Sequence, residues 1–209
     1  LFTLIESEPN NVQSKTLVLD FLSATSVDRV DQQFQKFTDF HKAQPRALLE
    51  LAHWMIARRN FEAAKPALIQ VIELEEDSLV GLSAKILLAK MEFENKHFDA
   101  VSKIVAEVLD ANPNYEDAKI LEARLFLIKE DYEAAIALLN RVIWSKEGSE
   151  EANLLLAQIF LIKSDLKKAD QHFSSVLQTN PANLQALNYL YDKALSANDI
   201  NSAKNIIEK

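Results

Sequence analysis

The chain has 209 residues, with 31 Asp and Glu against 23 Lys and Arg, a formal net charge of -8 and 48% apolar residues. An acidic chain with scattered Lys and Arg lacks the clustered positive charge that grips a phosphate backbone, so nucleic acid is not an expected partner. Zero Cys excludes disulfides and thiolate metal sites, while 2 Gly and 5 Pro argue against turn-rich β-sandwiches and barrels.

In chain order, residues 1–11 read as the end of a helix, with Pro9 terminating it. Residues 12–44 read as a degenerate helix pair: a helix over 12–22, a break at 23–26 and a helix over 27–41. From there a fixed interval takes over. Ala84, Ala118, Ala152 and Ala186 are each 34 residues apart, as are Phe98, Tyr132, Leu166 and Ile200. Ala89, Ala123 and Ala157 keep the same spacing, and so do Val108, Val142 and Val176. An earlier copy fits with three inserted residues, since Ala47, Ala52, Phe61 and Val71 lie 37 before their partners. A constant period of this length predicts stacked supersecondary units in place of one closed core.

Each period divides into two helices. In 150–183, Ala152, Leu155, Leu156, Ile159 and Phe160 recur at helical spacing, and a break follows at 163–165. Asp165 is then placed to cap a second helix carrying Leu166, Ala169, Phe173, Val176 and Leu177, which ends at Asn180 and Pro181. Asn60, Asp131 and Asp199 hold the place of Asp165, with His97 a weak exception. Pro113 and Gly148 mark turns between periods. Small residues fall where the two helices must cross closely: Ala52 with Ala64, Ala123 with Ala135, Ala157 with Ala169.

The order small residue, aromatic, small residue, large apolar, Pro at this period resembles the tetratricopeptide repeat. The best copy reads Leu156, Ala157, Ala169, Phe173 and Pro181; another carries Ala123, Tyr132, Ala135 and Leu139. The resemblance covers about four fifths of the chain. It implies an all-α fold: a right-handed superhelical α-solenoid of antiparallel helix pairs, continuous as one domain. The repeats are then 45–78, 82–115, 116–149 and 150–183, with 79–81, including Gly81, lengthening a loop and 184–209 forming a truncated repeat. Several positions depart from the family. Its early large aromatic is replaced by Leu48, Lys85, Lys119, Asn153 and Leu187, Glu122 replaces a Leu, and Pro66 falls within a second helix, where it should cause a kink. Leu1, Phe2, Leu4 and Ile5 have no complete partner upstream, and Ala203, Ile206 and Ile207 have none downstream. The expectation is an excerpt of a longer array, of a kind similar to bacterial secretion and polysaccharide-export arrays. The compartment, cytoplasm or envelope, stays open.

No catalytic or cofactor constellation emerges. His41, His53, His97 and His172 share no ligand spacing, and no nucleophile elbow or phosphate loop is present. Paired acids such as Glu75 with Glu76 and Glu150 with Glu151 sit at helix ends, where they favour the dipole or solubility. The longest nearly apolar stretch, 154–162, is far short of the roughly 20 residues of a spanning helix, so no membrane insertion is expected.

What the resemblance does imply is a groove lined by first helices that holds a protein or peptide. By the family register its wall begins at Leu49, His53 and Ile56. It continues with Ile86, Leu87, Lys90 and Phe93, then Ile120, Leu121, Arg124, Leu127 and Ile128. Leu154, Leu155, Gln158, Leu161 and Ile162 follow, and then Asn188, Tyr189, Asp192 and Leu195. The wall is apolar from 86 to 162, which suits an apolar or amphipathic partner segment; the alternative is that these side chains pack between adjacent repeats. The polar positions Lys90, Arg124, Gln158 and Asp192 would set register. Leu49, His53, Leu87, Asp117 and Leu121 stand where the family's chaperone-tail clamp has Lys and Asn, so that ligand is not expected. On this reading Leu121→Asp or Leu155→Asp abolishes capture and spares helicity. Two other readings stand beside it: self-association into a homo-oligomer through exposed solenoid ends, and a docking arm of a larger protein that has an enzymatic or export role.

Overall fold

The computed structural model describes residues 2–145 and 148–207. Leu1 and Glu147, and the side chains of Phe2, Leu4 and Ile207, lie outside what is described. Regular structure among the described residues is helical. The chain divides into two compact units, 1–113 and 114–209.

Unit 1 holds α1 (Phe2–Ser7), α2 (Val12–Thr25), a short 3-10 turn (Val27–Arg29), α3 (Val30–Phe40), α4 (Pro45–Ala57), α5 (Phe61–Leu74), α6 (Leu79–Glu94) and α7 (Phe98–Ala111). Neighbours in sequence pack as pairs, α4 on α5 and α6 on α7, and α5 also packs on α6. Val18, Leu19, Phe34, Leu48, Leu51, Met55 and Leu68 form the interior. Each such Leu contributes about 1.5–3 kcal/mol by leaving water. At the edge, Asp20 of α2 accepts the Trp54 indole N–H at 2.9 Å and also meets Arg58, whose guanidinium lies 3.6 Å over the Trp54 ring, joining α2 to α4.

Unit 2 holds α8 (Glu116–Ile128), α9 (Tyr132–Ser145), α10 (Glu150–Ile162), α11 (Leu166–Thr179), α12 (Leu184–Ser196) and α13 (Ile200–Ile207). Here α8 packs on α9, α9 on α10, α10 on α11, α11 on α12 and α12 on α13. One cluster centres on Leu139, Leu156 and Ile159, and a second on Phe173 with Val176, with Tyr189 stacked on Phe173 at 4.2 Å.

The hairpin joint is where local chemistry is most regular. Arg59, Lys96, Glu130, Ser164 and Asn198 end the first helices in the left-handed region, with φ between 56° and 62°. The residue after each of them donates its backbone N–H five residues back, as Asp131 does to Phe126 at 2.9 Å and Asp165 to Phe160 at 2.8 Å. This is the Schellman closure that satisfies orphan carbonyls. The side chain of that same residue caps the next helix. Asn60, Asp131, Asp165 and Asp199 accept from Ala63, Ala134, Lys168 and Ser202 backbone N–H groups at 3.0–3.3 Å. One residue thus closes one helix and opens the next, while His97 makes no side-chain cap. The crossing residues Ala52, Ala64, Ala123, Ala135, Ala157 and Ala169 are all fully buried.

The structure revises two expectations. Helix α2 runs three residues further than expected, to Thr25, so the break expected at 23–26 narrows to Ser26; the Ser23 and Thr25 hydroxyls donate to the Leu19 and Phe21 carbonyls at 2.8 Å each within it. Residues 79–81 are not loop. Ser78 caps α6 by accepting from Val80 and Gly81 at 3.2 and 3.1 Å, and the helix begins at Leu79. The three inserted residues become helix, so α6 has 16 residues where α4, α8 and α10 have 13. Pro66 lies inside α5, which continues through it to Leu74.

Candidate functional site

The first helices α4, α6, α8, α10 and α12 carry the candidate wall, and burial sorts its residues into two classes. Ile86, Ile120, Leu121 and Leu155 are 2%, 3%, 3% and 7% exposed. They are interior packing and no partner can reach them, contrary to the groove reading for these four. Leu87, Lys90, Phe93, Arg124, Leu127, Leu154, Gln158 and Leu161 are half-buried, as are Leu49 and Ile56, while Ile128, Ile162 and Leu195 are exposed. Consequently Leu121→Asp and Leu155→Asp do not separate capture from folding.

The accessible residues follow a simple rule. Each first helix presents one polar side chain and, three residues on, one apolar side chain. Residues three apart share a helix face. In unit 1 these are His53 with Ile56 and Lys90 with Phe93; in unit 2, Arg124 with Leu127, Gln158 with Leu161 and Asp192 with Leu195. The polar member differs at every repeat and the apolar member does not change its class.

Within unit 1, His53 of α4 and Lys90 of α6 are neighbours. Desolvation by the surrounding protein and then the Lys90 charge hold the His53 ring below its ordinary pKa, against the pull of Glu50. Phe93 meets Phe98 edge-on, with centroids 5.3 Å apart, which fixes its ring at the C-terminal end of α6. Within unit 2, Arg124 Nη2 donates to Glu151 Oε1 at 2.6 Å, tying α8 to α10. Both side chains are more than a third exposed, so the pair orients the guanidinium and adds little stability. Leu127 and Leu161 rest on the first cluster of unit 2, and Leu154 on the second, each leaving one flank outside.

Two substitutions that look like defects in the repeat pattern are polar anchors. Lys85 is 7% exposed and lies between Glu76 at 3.3 Å and Glu107 at 3.7 Å. Asn153 is 3% exposed, donates to the Ser149 carbonyl at 2.9 Å and pairs with His172 Nδ1 at 2.9 Å. The His172 ring stacks on Phe160 at 5.5 Å, nearly parallel, and burial lowers its pKa. His172 is therefore a wall residue of the α10–α11 hairpin. Tyr189 donates to Asp170 Oδ1 at 2.6 Å and Lys193 to Oδ2 at 2.6 Å; burial, then the Asp170 bond, push the phenol up to about 12.

Among the described residues no group of three or more His, Asp or Glu could hold a metal ion, and no helix is long and apolar enough to cross a membrane.

Residues 93–164 match the family model described as tetratricopeptide repeat protein 21 second ARM domain. No curated protein matches the sequence. Among solved structures, PilF of Pseudomonas aeruginosa is 12% identical over 93% of this chain and 88% of its own, with a TM-score of 0.64. TTC0263, a thermophilic TPR protein of Thermus thermophilus, is 18% identical over 88% and 99%, with a TM-score of 0.62. YrrB, titled a TPR protein with an unusual peptide-binding site, is 12% identical over 90% and 96%, with a TM-score of 0.52.

Proposed function

Starting from the tetratricopeptide-repeat fold that this chain has, we propose that it is a protein-interaction scaffold, not an enzyme. Its first-helix face in unit 2 takes an amphipathic segment of a protein partner. The observation that carries this is the repeated polar–apolar pair on α8, α10 and α12, with the apolar member left partly in water while Leu121, Leu155 and Leu156 beside it are buried. Side chains held on rigid helices with one flank open contribute binding energy without a large ordering cost. Leu127, Leu154 and Leu161 supply the apolar contact. Arg124, Gln158 and Asp192 discriminate partners by hydrogen bonds and charge, because mismatched polar groups lose more than matched ones gain. The peptide-binding site named for YrrB supports the reading by likeness of fold.

The test uses peptides selected from a displayed library of amphipathic helices against the full chain. Binding of the selected peptides should weaken about tenfold for Leu161→Asp and further for Leu127→Asp with Leu161→Asp, since each half-open Leu contributes a kcal/mol or more. Circular dichroism should show the helicity of both variants retained. Peptides that bind the double variant as tightly as the parent would remove this face from consideration.

A further inference from the structure

One buried cation in unit 1 has no carboxylate beside it among the described residues. Lys15 of α2 is 2% exposed, and His41, just past α3, is fully buried. The Lys15 ammonium donates to the Pro9 carbonyl at 2.5 Å, lies against His41 Nε2 and sits 3.9 Å over the Phe40 ring, with Phe37 at 5.7 Å. An ammonium has donors only, so Nε2 must present its lone pair. The ring proton is therefore on Nδ1, which donates to Gln44 Oε1 at 2.8 Å. The contact between the Lys15 ammonium and Nε2 therefore requires a neutral His41, whereas the Gln44 bond persists in either state. A proton on Nε2 would remove the acceptor and set a second cation against Lys15 away from water.

We propose that Lys15 and His41 form an acid-sensitive latch: protonation of His41 frees the α1–α2 turn and α2 from the corner between α3 and α4. The turn is held through Pro9 and α2 through Lys15, so both are released by one event. Release uncovers Val18, Leu19 and Leu22, the interior face of α2, and their partners in unit 1. The charged groups acting on the ring are Lys15 from α2, which disfavours its protonation, and Glu50 from α4, which favours it; α3 offers the Phe40 edge at 5.0 Å.

The direction with pH follows. Burial is the largest influence on His41 and lowers its pKa, Lys15 lowers it further, and the Gln44 bond and Glu50 pull the other way. A base whose folded-state pKa is lowered contributes full stability above the unfolded value of about 6.5, and stability is lost as pH falls below it. For one such proton the folding equilibrium constant drops by up to about tenfold per pH unit.

Trp54 reports the event, because it is 8% exposed and hydrogen-bonded to Asp20 of α2; Trp144, 93% exposed, can be silenced as Trp144→Phe. In the full chain carrying that change, urea midpoints read from Trp54 emission between about pH 7.5 and about pH 5 should fall with acid. His41→Gln, which cannot take up a proton, should flatten that dependence, and Lys15→Met, which removes the second cation but leaves the ring buried, should lessen it. His53, His97 and His172 are unchanged in every variant and cancel in the comparison. If His41→Gln fails to fold, Lys15→Met decides alone. A Lys15→Met protein with the parent's pH dependence overturns the latch, as does a His41 ring that titrates at the ordinary value while Trp54 emission stays constant.

Discussion

Gly81→Ala is expected to destabilise unit 1 by about 3 kcal/mol or more, although alanine is the better helix former by about 1 kcal/mol. A Cβ at position 81 would lie 1.8 Å from the Glu75 carbonyl oxygen, 2.7 Å from its carbon and 2.8 Å from the Glu76 oxygen. These are backbone atoms at the end of α5, fixed in turn by the Ser78 cap, whose backbone N–H donates to Glu75 O at 3.3 Å and whose hydroxyl does so at 3.2 Å. No side-chain rotation relieves the clash, so α5 and α6 must separate. Trp54 emission in urea would register the loss as a lower midpoint with an unchanged slope. An alanine variant as stable as the parent would mean that α6 does not begin at Leu79.

Leu155→Asp is expected to unfold unit 2, at a cost of about 4 kcal/mol or more, because it removes a packed side chain and leaves a carboxylate without a partner in an apolar cluster. Leu155 is 7% exposed among Ile120, Leu139, Ile159 and Phe160. Leu161→Asp, six residues further along the same helix, should fold, because Leu161 keeps one flank in water. Thermal melts followed by circular dichroism separate the two. If Leu155→Asp melts with the parent, Leu155 belongs to the open wall after all.

The contrast between Leu155 and Leu161 shows what a sequence of this kind reveals. At 3.6 residues per turn the two lie about 120° apart, at the edges of one broad apolar face of α10, and the spacing does not say how far the neighbouring helices cover each edge. Coverage depends on three-dimensional stacking, and Leu121 and Leu155 fall under it while Leu127 and Leu161 do not. The caps are legible, because Asp131, Asp165 and Asp199 are short acceptors placed one residue before an apolar-periodic run. The left-handed residues are not: Arg59, Lys96, Glu130, Ser164 and Asn198 include no glycine, and only their place in the repeat marks them. Gly81 reads as loop because glycine interrupts a helical pattern. Ser78, three residues earlier, is the available sign of a helix start, and the extra residues are absorbed as helix. Lys15 and His41 are 26 residues apart and belong to no repeat, so no periodicity joins them.

The proposed function seats a partner on the open polar–apolar pairs of unit 2. Backbone and methyl NMR shifts of the full chain, recorded as a library-selected amphipathic peptide is added, address it most directly. Leu127, Leu154, Gln158 and Leu161 should move first and most, with the outer faces of α9 and α11, including Ala137 and Gln171, unchanged. Perturbations centred on α9 and α11, with Leu127 and Leu161 silent, would contradict it.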